Sequence, residues 1–206
     1  FAIGAALLLR RNFVGKSLVN FLFQINLTVP HLIGAIGILY LFSQSGSFAR
    51  LAFQWGAITK TSEFPEMVYD PYAIGIILQY VWKEIPFIGV IVLANINSLV
   101  EDYENVARSL GANKWQTFRY VLLPFILPSV LLASVIVFAF TFGAYEIPAM
   151  LGANYPSALS VLAYRKYTDV DLASMPEAMA IAIIIAVLSC LIIFFYLKFA
   201  RKKIRE

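Results

Sequence analysis

The sequence predicts an all-α fold, a polytopic helical bundle built for a membrane, and three observations carry that reading. Charged residues make up 14% of the chain against 61% hydrophobic, where a soluble domain carries about a quarter charged. The mean hydropathy is +0.79. Residues 120–142 and 178–197 contain no charge at all, and 18–42 contains none when His31 is neutral. Each reaches the roughly 20 residues that a helix needs to cross about 30 Å of hydrocarbon.

The elements follow in order. The opening FAIGAALLL is followed by Arg10 and Arg11. Nine apolar residues cover less than half the hydrocarbon at about 1.5 Å per residue, and no basic leader precedes them as in a signal peptide. The run is therefore expected to be the inner end of a helix that starts upstream, in an N-terminally incomplete chain. Residues 18–42 form the next expected span, with Pro30 and His31 inside it. Residues 43–70 mix Gly, Ser and aromatics and are expected along the interface, with Trp55 at headgroup level. Residues 71–100 form a span with Lys83 and Glu84 near its middle, and Pro86 weakens the ladder just beyond. After a polar stretch come the spans 120–142 and 178–197, joined by 145–177, whose Gly and Pro predict short broken helices. Cys190, in the last span, is expected to pack as a small hydrophobe. No internal repeat is visible, so 1–206 reads as a single transmembrane domain.

Basic residues orient the bundle. Residues 10–16, 101–119 and the tail after 197 hold eleven Lys and Arg, against four in the two other connections. The first set is therefore expected in the cytoplasm. The net charge of +4 lies at membrane edges and not on one polar face, which excludes a nucleic-acid reading. One Cys and one His exclude a disulfide framework and a zinc cluster made by this chain alone.

The cytoplasmic stretch ENVARSLGANKWQTFRYVLLP, 104–124, carries the densest local signals. Ser98 and Glu101 have capping-box spacing, and Glu101, Asp102 and Glu104 would then lie near a helix N-terminus, where the dipole favours negative charge. Leu99, Tyr103, Val106, Ala107 and Leu110 share one helical face. Gly111 suits a left-handed cap, and Asn113 offers a second start. The expected product is helix, glycine turn, helix over 98–120: a small protrusion fit for a socket on another protein.

This stretch resembles the cytoplasmic signature of the inner-membrane permease subunits of binding-protein-dependent ABC importers, E-A-A-x3-G-x9-I-x-L-P. Gly111 falls on the motif glycine, Ala107 on its second alanine, and Val121, Leu122, Leu123 and Pro124 on I-x-L-P. Asn105 stands where the first Glu is expected, with Glu104 one position before, and Val106 replaces the first alanine. The resemblance implies a type I importer permease core with about five helices visible, the first truncated. Helix 99–110 would be its coupling helix, with Glu104, Asn105, Ala107, Arg108, Gly111, Leu123 and Pro124 as coupling residues. It further implies two ATP-binding subunits that hold ATP and Mg²⁺, a second permease subunit (identical or homologous), and an external solute-binding protein. The setting would be the plasma or inner membrane of a bacterium or archaeon, with lipid as a further partner.

No G-x-x-x-x-G-K-[ST] pattern occurs in the sequence, so no P-loop is expected in this chain and no catalytic residue or cofactor is assigned to it. Lys83 and Glu84 each cost about 2.5–3.5 kcal/mol at mid-membrane. They point about 100° apart on a helix and are expected either to line the solute path, Glu84 in particular, or to pair with other helices. Gly143 and Ala144 are expected to permit close helix approach. Tyr145 and Glu146 then stand at the external mouth, either as a cation site or as an interfacial Tyr beside a solvated Glu. The FGAYEIP run is similar to permeases of the polyamine, ferric-iron and thiamine branches, which implies a small cation, a polyamine foremost. A secondary transporter or channel would need more intramembrane acids, and an intramembrane enzyme would need paired catalytic groups; the spans offer neither.

Overall fold

The computed structural model describes the backbone of residues 1–205 and the side chains of 1–96 and 102–200. Ten α-helices form among the described residues, with no strand. They are α1 (Ala2–Arg10), α2 (Lys16–Thr28), α3 (His31–Phe42), α4 (Ser47–Gln54), α5 (Ile74–Ser109), α6 (Lys114–Thr117), α7 (Leu123–Gly143), α8 (Glu146–Leu151), α9 (Leu159–Tyr167) and α10 (Met175–Arg205). Among the described residues four stretches are long and apolar enough to cross a membrane: His31–Gln54, Ile74–Ile96, Lys114–Gly143 and Leu172–Ala200. The first qualifies only by running across the turn at Ser43–Gly46, since α3 alone has 12 residues and rises about 18 Å.

Two expected helix boundaries are corrected. The 18–42 stretch is not one helix but breaks at Val29–Pro30, between α2 and α3. Pro30 has no N–H to donate, and its extended ψ of 143° makes it the N-cap of α3; proline also disfavours helical geometry at Val29. The second correction concerns Ser98. The spacing predicts a helix start there, but α5 is one helix of 36 residues from Ile74 to Ser109, about 54 Å long. It runs through Pro86. There is no N-terminus at Ser98 to cap, and the side chains of Ser98 and Glu101 lie outside the described residues. Periodicity favoured a boundary that the continuing i→i−4 ladder does not need. The acidic residues near 102–104 accordingly sit toward the end of a helix, where the dipole opposes them.

The chain clusters into two compact units, one of 1–28, 84–139 and 191–206, the other of 29–83 and 140–190. The first has a core of Ala6, Val92, Ile96, Leu122 and Ile126, which joins α1, α5 and the entry to α7. Gly89 lies against Phe23 so closely that a Cβ there would meet the ring at 2.7 Å. The second has Ala35, Ile38, Val68, Ile147 and Leu151 at its centre, which packs α3 on α8. Asp70 starts α5 by accepting from the amides of Tyr72 and Ile74, each at 2.9 Å. The segment 145–177 does form short helices. Cys190 is exposed on α10 instead of packed; only 6% of the α10 span is buried within the chain.

Candidate functional site

The segment 104–124 is built from backbone caps. At the end of α5, Gly111 takes φ +87°, the left-handed region open to glycine. Gly111 N–H donates to the Arg108 carbonyl at 2.9 Å and Ala112 N–H to the Ala107 carbonyl at 3.0 Å, the paired bonds of a Schellman motif. Asn113 then caps α6: its side chain accepts from Gln116 N–H at 2.9 Å, and Gln116 reaches back to Asn113 N–H at 2.8 Å. Both caps match the sequence reading.

A π-helical turn, Phe118–Leu122, follows α6, and Leu123 N–H donates five residues back to Phe118. Pro124 has no N–H for the Tyr120 carbonyl, and the wider turn absorbs that loss. Leu122 is buried, Leu123 half-buried and Pro124 exposed. The motif's Leu-Pro end thus sits where the helix changes register on entering α7.

The knob has two faces. Tyr103, Val106 and Leu110, at i, i+3 and i+7, are 60%, 58% and 83% exposed, and Trp115 is 67% exposed. Asn105, Arg108 and Gly111 are exposed beside them, and Ala107 is half-buried. Glu104 faces the other way. Its residue exposure is 7%, and one carboxylate oxygen accepts from Arg10 Nη1 at 2.6 Å while the other lies 3.7 Å from Arg108 Nη2. Glu104 is therefore an internal tie from α5 to the end of α1, turned away from the exposed stripe. No sequence signal pairs residues 94 apart.

The membrane-depth residues divide similarly. Lys83 is buried, at 4% exposure, and its ammonium donates to the Val29 carbonyl that the helix break releases. Gln79, fully buried, donates to the His31 carbonyl at 3.1 Å. A Cβ on Gly34 would stand 2.5 Å from the Gln79 amide nitrogen and 2.7 Å from Trp82, so glycine is required for this clasp. The Val29 carbonyl is left over at the break between α2 and α3, and Lys83, within the Ile74–Ile96 stretch, supplies a donor that hydrocarbon would not. Glu84, next to Lys83, is half-buried.

Tyr145 and Glu146 do not assemble into one site. Tyr145 stacks on Tyr164, with ring centroids 4.2 Å apart, and lines a cavity of about 390 Å³ with Tyr164, Tyr167, Ser160 and Met179. Among the described residues no carboxylate lines it. Glu146 is exposed in the first turn of α8, where the dipole favours it. Glu177 is taken by Lys166 at 2.7 Å; that hydrogen bond first, and the charge second, raise the Lys166 pKa above its ordinary value. A Cβ on Gly143 would meet nothing within 4 Å among the described residues of this chain, so no close helix approach within the chain uses it there. Among the described residues no His, Cys, Asp or Glu group is arranged to hold a metal ion.

With this geometry in view, known proteins supply a frame. The profile of the family described as "Binding-protein-dependent transport system inner membrane component" matches residues 1–206. The probable sulfate transport system permease protein of Marchantia polymorpha is 27% identical over 194 residues, 93% of this chain and 63% of its own length. The molybdate/tungstate transport system permease protein WtpB of Pyrococcus abyssi is 31% identical over 171 residues, 82% of this chain and 59% of its own. The thiamine transport system permease protein ThiP of Escherichia coli is 25% identical over 76% of this chain and 28% of its own. The chain spans under two thirds of these relatives' lengths. Among solved structures, a bacterial alginate ABC transporter in complex with its pentasaccharide-bound periplasmic protein superposes with a TM-score of 0.80 at 21% identity, over 98% of this chain and 72% of that one.

Proposed function

Since the chain belongs to the inner membrane components of binding-protein-dependent transport systems, we propose that it is the permease subunit of an importer driven by ATP hydrolysis in partner subunits. The observation that carries this is the capped knob, whose apolar stripe of Tyr103, Val106, Leu110 and Trp115 is exposed on a backbone closed by hydrogen bonds at Gly111 and Asn113. A helical stripe with apolar anchors at i, i+3 and i+7 fits a groove on another protein. Its occupant would be an ATP-binding subunit, two per transporter, holding ATP and Mg²⁺. A second permease, identical or homologous, and lipid would share the apolar surface of α10, and an external binding protein would deliver the solute.

The geometry supports a way to transmit force. Closure of the ATP-binding pair displaces the knob. Glu104 ties the knob to Arg10, and Leu122 enters the core with Ala6, Val92 and Ile96. Displacement of the knob then carries α1, the inner part of α5 and the start of α7 with it. In this reading the chain performs no covalent chemistry.

For the solute we favour a small oxyanion. The support is the similarity to relatives named for sulfate and for molybdate or tungstate, together with the lack of a carboxylate in the Tyr145 cavity. The second reading is a small cation, a polyamine included, which the thiamine relative favours. Uptake into proteoliposomes holding the whole transporter separates them: labelled sulfate or molybdate accumulating with ATP supports the first, while accumulation of only spermidine or thiamine rejects it. Docking is tested by Val106→Arg with Leu110→Arg. The ATP-binding subunit should no longer co-purify while membrane insertion persists; normal co-purification rejects the assignment.

A further inference from the structure

One cavity beside the Arg10–Glu104 pair has been given no ligand so far. It has a volume of about 580 Å³ and opens between the end of α1, the last turns of α5 and α6. Arg10, Arg11, Arg108 and Lys114 line it, and Glu104 is the one carboxylate among the described residues that do. That carboxylate is already engaged by Arg10 at 2.6 Å. Arg11 and Lys114 have no acidic partner among the described residues. The concave wall therefore keeps a formal surplus of three positive charges, four cations less one carboxylate.

The floor is different. Leu7, Phe118 and Leu122 close the cavity on the side where the apolar runs of α1 and α7 begin. A free ion would gain nothing from such a floor. A phospholipid headgroup would gain from both, its phosphate among the guanidinium and ammonium groups and its glycerol against the apolar residues. Basic pockets between helices at the cytoplasmic edge of a membrane are suited to anionic headgroups. The cavity's helices are those whose basic residues the charge bias assigns to that side.

We propose that this cavity is a binding site for the phosphate-bearing headgroup of an anionic phospholipid, held chiefly by Arg11, Arg108 and Lys114. The bound headgroup bridges the end of α1 to α6 and so braces the coupling knob against the Arg10–Glu104 tie. This requires the helices to cross a membrane in the stated orientation, but not any particular solute or ATP-binding partner.

The test uses the whole transporter in nanodiscs of phosphatidylcholine with or without phosphatidylglycerol, and counts retained phosphatidylglycerol by native mass spectrometry. The double variant Arg11→Gln, Lys114→Gln leaves the Arg10–Glu104 pair intact. It should lose about thirtyfold in phosphatidylglycerol affinity for the two removed cations, while Arg50→Gln, Lys60→Gln stays within twofold of the parent. Inorganic phosphate at equal concentration should not displace the lipid. Equal retention by the double variant and the parent overturns the proposal. Displacement by inorganic phosphate overturns the lipid in favour of a free oxyanion. Loss of the lipid whenever the ATP-binding subunit is present overturns it in favour of acidic side chains of that subunit. None of these readouts depends on transport, so a failed solute or coupling assignment leaves the result interpretable.

Discussion

Replacing Arg10 or Glu104 tests whether the knob proposed to meet the ATP-binding subunit is anchored from inside. The two are 2.6 Å apart, with side-chain exposures of 22% and 9%. Breaking a fully buried pair by removing one partner costs about 3–5 kcal/mol. This pair is part-exposed and Arg108 stands 3.7 Å from the carboxylate, so Arg10→Gln should cost about 2–3 kcal/mol, because it strands the more buried charge. Glu104→Gln should cost less, about 1–2 kcal/mol, since Arg10 can turn toward water. The double variant should then recover about 1–2 kcal/mol relative to the sum of the singles, as expected for residues in direct contact. The assay is a double-mutant cycle on resistance of the assembled transporter to thermal inactivation, read in parallel with solute-stimulated ATP hydrolysis. The swap Arg10→Glu, Glu104→Arg should restore part of the stimulation lost in either single reversal. Additivity within about 0.5 kcal/mol, or no rescue by the swap, would refute the anchoring argument.

Three further outcomes follow from other sites. Gly111→Val forces a β-branched residue into φ +87° at about 1–2 kcal/mol; since the space around it is open, Gly111→Asn should be tolerated, and coupled ATP hydrolysis should fall only for Val. Gly34→Ala drives a methyl into Gln79 and Trp82 and should destabilise by about 1–3 kcal/mol, and the added change Gln79→Ala should relieve part of it in a thermal-inactivation assay; an unshifted midpoint for Gly34→Ala contradicts the clasp. Glu63 accepts from the Thr59 amide at 2.6 Å and hydroxyl at 2.9 Å, and the amide first, then the hydroxyl, hold its pKa below the ordinary carboxylate value. A lowered folded pKa means the contribution is present above the usual carboxylate range and lost as pH falls through the lowered value. Protease protection of the 59–63 turn should therefore be flat near neutrality and fall in acid, and Glu63→Gln should remove that dependence.

What could be read from residues alone was what short-range chemistry decides. The left-handed glycine at 111 and the Asn113–Gln116 box form as their spacing predicts, because both partners lie within a few residues. The spans at 120–142 and 178–197 stand out because hydropathy is summed locally. Ser98 shows the limit of the same logic: a capping pattern is neutral about whether the preceding helix has ended. Tyr145 and Glu146 show another, since neighbours in sequence left different faces and the tyrosine found Tyr164, 19 positions on.

By itself, then, the sequence determined the all-helical membrane character, the polar knob and its two caps, and the break at Val29–Pro30 was latent in a proline that the hydropathy average concealed. Only the tertiary structure decided that Glu104 reaches back to Arg10, that Lys83 and Gln79 serve the carbonyls of Val29 and His31 at the break before α3, and that four cations and three apolar side chains share one hollow. The reason is physical: backbone caps and hydropathy depend on neighbours along the chain, whereas charge pairing across 94 positions depends on which helices pack together. That outcome is set by the fit of residues such as Ala6, Val92 and Ile126 in a shared core.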